Sequence, residues 1–208
     1  DRILSKTHVI MLVAQKKRKE NIVEYMLYMW HVENLIRVNS LDINKIEETI
    51  IRKYQVENEQ QYREVYEWWD NLAEMMRLEK KEKIGHLQVT QGLMNDVYNY
   101  HLYLLTQPEE AAYQNAFQTA WSDLSVLEKK IPQGDKLHHI ELALTGLYNY
   151  FFLKLQGETI LADTTNAIMR ISRFMAILSA KYLKAERDLD NELNTNDDGT
   201  LTNVSLKE

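Results

Sequence analysis

Apolar residues recur at the spacing of an α-helix, every three to four positions, through most of the 208-residue chain. The strict alternation of apolar and polar residues that marks a β-strand is missing from the body of the sequence. Only 6 Gly and 2 Pro interrupt the pattern, and the breaks are short enough to make neighbouring helices antiparallel. The sequence therefore predicts an all-α fold, a compact bundle of about seven antiparallel helices. The predicted helical segments are 14–39, 42–54, 58–83, 90–106, 108–130, 135–156 and 163–188.

The two ends of the chain depart from this pattern. Residues 1–10 precede the first convincing helix, and we assign them to an N-terminal extension. Residues 189–208 lose the helical period and are rich in Asn, Asp and Thr, which predicts a flexible, irregular acidic tail. The predicted helical bundle domain spans residues 11–188.

The sequence also narrows the class of protein. The longest apolar run near the start, Val9–Ala14, is far shorter than the roughly 20 residues of a membrane span. The basic stretch Lys16–Lys19 follows this run, whereas a secretory signal carries its positive charges first. The chain has no Cys, which suits a reducing compartment. We therefore expect a cytoplasmic protein that does not bind a membrane.

The net charge of −6 is concentrated at the C-terminal end. Five acidic residues against Lys207 give residues 189–208 a charge of −4, so the rest of the chain carries only −2. Phosphate binding needs clustered Lys and Arg, and the single basic cluster is Lys16–Lys19. We read this cluster as a solvated helical turn, and we predict no nucleic-acid partner.

Four polar residues fall on the apolar faces of predicted helices when residues are placed at 100° steps. Glu33 lies between Ile22 and Met26 in projection, and Arg37 follows one turn later. Because an isolated charge in a core is costly, such groups are paired or bound to something. We expect Glu33 and Arg37 to bond each other or a neighbour such as Tyr148. The four residues of this candidate interior polar cluster are Glu33, Arg37, His101 and Glu141.

Two interpretations of this cluster stay open, an internal hydrogen-bond network and a pocket for a small molecule or metal. The most specific enzymatic alternative is a helical di-metal site, which uses Glu-x-x-His on two helices and a Glu from each of two others. The chain has no Glu-x-x-His sequence, and His138 with Glu141 is only the reversed order. Nucleophilic triads and phosphate-binding glycine loops are not recognisable either. We therefore predict no cofactor, no metal ligand and no catalytic residue.

A candidate interface lies on the third predicted segment. Trp68, Leu72 and Met75 follow a helical line that extends the apolar face past what one core face requires. Trp and Met are enriched at protein interfaces, so this line predicts a homo-oligomer or another protein partner. The alternative is that the first or second helix covers this edge within the same chain.

Small residues form a stripe on the last predicted helix. Ser172, Ala176 and Ser179 lie beside Ile168 and Met175 in projection. Small side chains allow a neighbouring helix to approach closely, and we expect this stripe at the centre of the bundle.

Three stretches of the sequence resemble an uncharacterised helical family of Bacteroidetes proteins, domain of unknown function 4924. They are AQKKRKENIVEYMLYMWHVENLIR at 14–37, GHLQ at 85–88 and ISRFMAILSAKY at 171–182. The resemblance covers about residues 11–188. It implies a cytoplasmic helical domain with no assigned activity and no defined catalytic residues.

Two functional hypotheses follow. The first is a non-enzymatic protein-interaction or self-associating module that acts through an apolar surface. The second is a helical protein that binds a small molecule or a metal through the interior polar cluster. Under this hypothesis the protein could also be an enzyme. The arrangement of the four polar side chains, open to a cavity or closed on their neighbours, discriminates between them.

Overall fold

The computed structural model describes residues 9–131 and 136–197, and every regular element within these ranges is helical. The prediction of an all-α fold is confirmed. Short 3₁₀ turns precede α4, at Ile51–Lys53, and α6, at Pro108–Glu110. The helices are α1 (Val9–Glu20), α2 (Ile22–Val38), α3 (Ile43–Thr49), α4 (Glu59–Leu78), α5 (Gln88–Thr106), α6 (Ala111–Glu128), α7 (His139–Leu155) and α8 (Ala162–Asp197).

Several boundaries differ from the sequence prediction. At the start, α1 begins at Val9, inside the expected N-terminal extension of residues 1–10. The first predicted segment consists of two helices, because the helix is interrupted at Asn21. The Asn21 side chain accepts hydrogen bonds from the backbone N–H groups of Val23 and Glu24, so it caps α2 and satisfies donors that a helix start leaves free. At the other end, α8 continues past residue 188 to Asp197, so the first part of the expected irregular tail is helical. Residues 198–208 lie outside the described range.

The buried side chains form two cores, and α2 contributes to both. One core contains Met29, Val32 and Ile36 of α2 with residues of α3 and α4. The other contains Ile22 and Met26 of α2 with residues of α5, α6, α7 and α8. Because α2 contributes to both cores, its fully buried polar residue, Glu33, must find its hydrogen-bond partners inside the protein.

The stripe of small residues on α8 is not at the centre of the bundle. Ser172 and Ala176 are exposed, and only Ser179 is buried. The face that packs against the neighbouring helices is formed instead by Ile171, Phe174, Met175, Leu178 and Leu183. The prediction chose the wrong arc because small residues fit an exposed face as well as a close helix contact.

The basic cluster Lys16–Lys19 lies at the end of α1, where three of its four side chains meet carboxylates. Arg18 pairs in bidentate fashion with Glu186 of α8, with N–O distances of 2.7 and 2.9 Å. Lys17 pairs with Glu24 at 2.7 Å, and Lys16 with Glu20 at 3.9 Å. The cluster therefore joins helices rather than presenting bare positive charge.

Candidate functional site

Glu33 is fully buried on α2 and accepts three hydrogen bonds from the start of α5 and the loop before it. His86 Nδ1 donates at 2.6 Å, the Leu87 backbone N–H at 3.1 Å and the Thr90 hydroxyl at 3.3 Å. The His86 ring also stacks on Trp30, with centroids 4.2 Å apart. Glu33 thus supplies acceptors to a helix start that has no side-chain cap of its own.

Arg37 does not pair with Glu33, although it lies one turn further along α2. It donates to the backbone carbonyl oxygens of Lys81 and Gly85 and to the Asn34 side chain. Asn34 in turn donates to the Tyr148 hydroxyl at 2.7 Å, so the expected link from Arg37 to Tyr148 passes through one more residue. Glu33 and Arg37 therefore both bind the same segment, the loop that joins α4 to α5.

His101 lies elsewhere in the interior, on α5, and its ring contacts residues of α6 and α7. Its Nδ1 shares a hydrogen bond of 2.6 Å with the Tyr113 hydroxyl, and its Nε2 shares one of 3.0 Å with His139 Nδ1. Burial lowers the pKa of His101 to about 3, with smaller contributions from His139 and His138. The imidazole is therefore neutral at neutral pH, and both of its nitrogens already have partners.

Glu141 lies on α7 between these two groups. Its carboxylate is 3.9 Å from His138 Nε2, and burial raises its pKa while His86 opposes that rise. His138 caps α7 by accepting from the Glu141 backbone N–H at 3.1 Å, and its ring stacks on Tyr98. His138 and Glu141 thus stabilise the start of α7.

The four residues of the candidate cluster are distributed over three local networks and do not share one centre. Sequence reasoning missed His86 and His139, which complete two of these networks. His86 lies in a loop, where no helical period marks it, and the one sequence signal for His139 is the pair His138–His139 at the start of α7. Within the described ranges, no group of three or more His, Asp or Glu residues is placed to hold a metal ion.

The candidate interface on α4 is mostly covered within the chain. Leu72 belongs to the buried core that α4 forms with α2 and α3, and Trp68 and Met75 pack partly buried against the same core. The Trp68 ring also meets the Trp69 ring edge-on. This packing favours the alternative in which the first or second predicted helix covers the edge within the same chain.

An exposed apolar surface lies at the end of α7 and in the connection that follows. Every residue from 151 to 159 is exposed. The exposed apolar side chains of this region, which we call the α7 tip, are Phe151 (45%), Phe152 (45%), Leu153 (39%), Leu155 (60%) and Leu161 (73%). Its charged residues are Lys154 and Glu158, so the tip carries no net charge between residues 149 and 162.

A groove of about 320 Å³ runs beside the α7 tip, between α2 and α7. Aromatic rings form most of its wall, and His31 meets Phe151 edge-on with ring centroids 5.8 Å apart. Lys17 and Glu24, at one end, are paired with each other. The groove residues are Lys17, Glu24, Leu27, Tyr28, His31, Tyr148 and Phe151.

Among the described helices, none combines the length and the apolar character that crossing a bilayer demands.

Comparison with known proteins identifies a family. No curated protein and no solved structure matches the chain. Residues 11–188 match the sequence model of a family described as a domain of unknown function, DUF4924. The match spans both cores, the loop that Glu33 and Arg37 hold, the His101 network and the α7 tip. The chain belongs to the DUF4924 family.

Proposed function

We propose that this protein is a self-associating helical module and that two copies meet through the α7 tip. The observation that carries the proposal is the distribution of apolar residues around the end of α7. In helical projection, Phe151, Phe152 and Leu153 point in directions about 100° apart. A helix that is apolar on most of its circumference is normally buried, whereas here this stretch is exposed.

The exposed area is of the size that a dimer requires. A standard interface buries about 800 Å² on each partner, of which roughly 60% is apolar. The five large side chains of the α7 tip are each between 39 and 73% exposed. Together they offer apolar surface on the order of several hundred Å², which is comparable with the apolar part of such an interface.

Charge favours a second copy of the chain as the occupant. The whole chain has a net charge of −6, which makes two copies repel each other in general. The α7 tip is neutral, with Lys154 in the last turn of α7 and Glu158 in the connection just after the helix ends. A two-fold axis across the tip brings Lys154 of each copy towards Glu158 of the other, which makes the surface self-complementary.

The experiment compares two substitutions of the same kind at exposed leucines. Leu155→Glu places a charge in the α7 tip, and Leu78→Glu places the same charge at the end of α4, where the side chain is 74% exposed. We expect the wild type and Leu78→Glu to be dimers at tens of micromolar by light scattering, and Leu155→Glu to be a monomer with unchanged helicity. A monomeric wild type at high micromolar concentration contradicts the proposal.

The second hypothesis, ligand binding by the interior polar cluster, has less support. Glu33, Arg37 and His101 are each bonded to groups of the same chain. A ligand there would have to displace these hydrogen bonds, and each displaced buried group would cost free energy.

A further inference from the structure

We propose that protonation of His31 dissociates the dimer formed through the α7 tip. This inference rests on the proposed self-association and assigns a regulatory input to the same surface. His31 lies in the groove between α2 and α7, and its ring contacts Phe151, which belongs both to the groove and to the tip. Any copy that covers the α7 tip therefore also covers the rim of the groove around His31.

Among the described groove residues, the one carboxylate that could pair with a protonated His31 is Glu24, and it already has a cationic partner. From α1, Lys17 faces the groove, and from α2 itself Glu24 does, but these two charges are paired at 2.7 Å. From α2 and α7, the hydroxyl-bearing rings of Tyr28 and Tyr148 also line it. Burial raises the pKa of both tyrosines, so they remain neutral between pH 5 and 8.

Burial alone lowers the pKa of His31 from its ordinary value of 6.5. A second copy that seals the groove removes more water from the imidazole and lowers its pKa further. Because the proton then binds the separated copies more tightly than the dimer, dissociation becomes more favourable as pH falls below the pKa of His31 in the separated chain. Each copy contributes one His31, so the dependence of the dissociation free energy on pH is twice that of a single histidine.

The other charged groups near this surface cannot give the same response. Lys154 lies over the Tyr150 ring, 5.0 Å from its centroid, so its ammonium group already contacts an aromatic face of the same chain. His101, His138 and His139 lie at the start of α7, the end of that helix opposite the tip, and their protonation affects the stability of the fold instead. His31 is the histidine that the groove presents to a partner.

The test measures the dimer dissociation constant by sedimentation velocity at pH 7.5 and pH 5.5, with far-ultraviolet circular dichroism to verify that helicity is retained. We expect the constant of the wild type to rise at least tenfold at pH 5.5. His31→Gln keeps a neutral polar side chain of similar reach, and its constant should change less than threefold. Equal weakening of the wild type and His31→Gln overturns the inference.

A second measurement does not depend on the variant. The pKa of His31 is followed by NMR of its imidazole protons in dilute and concentrated wild-type samples. We expect a lower pKa in the concentrated, dimeric sample, and an equal value in both overturns the inference. A dimer whose dissociation constant does not change with pH refutes only the role of His31. A wild type that is monomeric at pH 7.5 refutes the proposed function as well.

Discussion

Glu33 on α2 and His86 in the loop before α5 are joined by a hydrogen bond of 2.6 Å, and the same carboxylate also binds the Leu87 N–H and the Thr90 hydroxyl. One turn further along α2, Arg37 binds two carbonyl oxygens of the same loop. Two residues of opposite charge, which helical spacing suggests as an ion pair, therefore act side by side on one segment. Together they fix the direction in which the chain enters α5.

This arrangement predicts unequal costs for the two residues. Glu33→Ala leaves several buried donors without an acceptor, so we expect it to lower the free energy of unfolding by about 3 kcal/mol. Arg37 is only partly buried, and its carbonyl partners lie near solvent, where water replaces the lost donors. Arg37→Met should therefore cost about 1–2 kcal/mol. Urea denaturation of both variants measures these losses. Equal losses of unfolding free energy would show that Arg37 contributes to stability through more than its contacts with the loop.

The histidines of the interior predict a loss of stability in acid. The pKa of His101 is about 3 in the folded chain against 6.5 for an ordinary histidine. Between these values the unfolded chain binds a proton that the folded chain does not, so stability is complete above pH 6.5 and falls as pH decreases. Burial also lowers the pKa values of His138 and His139, which adds to the effect in the same direction.

For His101 alone the expected loss by pH 5 is about 2 kcal/mol, because its unfolded form is then mostly protonated. His101→Gln removes this titration while keeping a side chain that can bond Tyr113. The difference in free energy of unfolding between pH 7.5 and pH 5, measured by chemical denaturation, should be about 2 kcal/mol smaller for His101→Gln than for the wild type. Parallel pH profiles of the two proteins would contradict a neutral, buried His101.

The sequence predicts the helices well because the apolar period of each one spans several turns. It does not reveal the break at Asn21, since the apolar residues keep their period on both sides while one side chain caps the second helix. Helical projection correctly places Glu33 in the interior, but its partner His86 lies in a loop that no period describes. The exposure of the α7 tip also cannot be predicted from the sequence, because it depends on where the neighbouring helices end.

The last prediction concerns the face that α8 turns to the core. Ser179 is buried, accepts a hydrogen bond of 3.0 Å from the Ile22 backbone N–H and donates one of 3.0 Å to the Asn21 side chain. It therefore holds the cap of α2 in place and satisfies a donor at the start of that helix. Ser179→Ala leaves the Ile22 N–H buried without an acceptor, and we expect a loss of about 1–2 kcal/mol in the free energy of unfolding.

Ala176 is the matched control, because it lies three residues earlier on the same helix and is exposed. A large side chain at this position points into solvent and displaces no neighbour. Ala176→Phe should therefore change the free energy of unfolding by less than 0.5 kcal/mol, as is usual for surface substitutions. Thermal and urea denaturation of the two variants measure these changes. A marked loss of stability in Ala176→Phe with none in Ser179→Ala would mean that α8 packs through the stripe of small residues, rotated from the face described above.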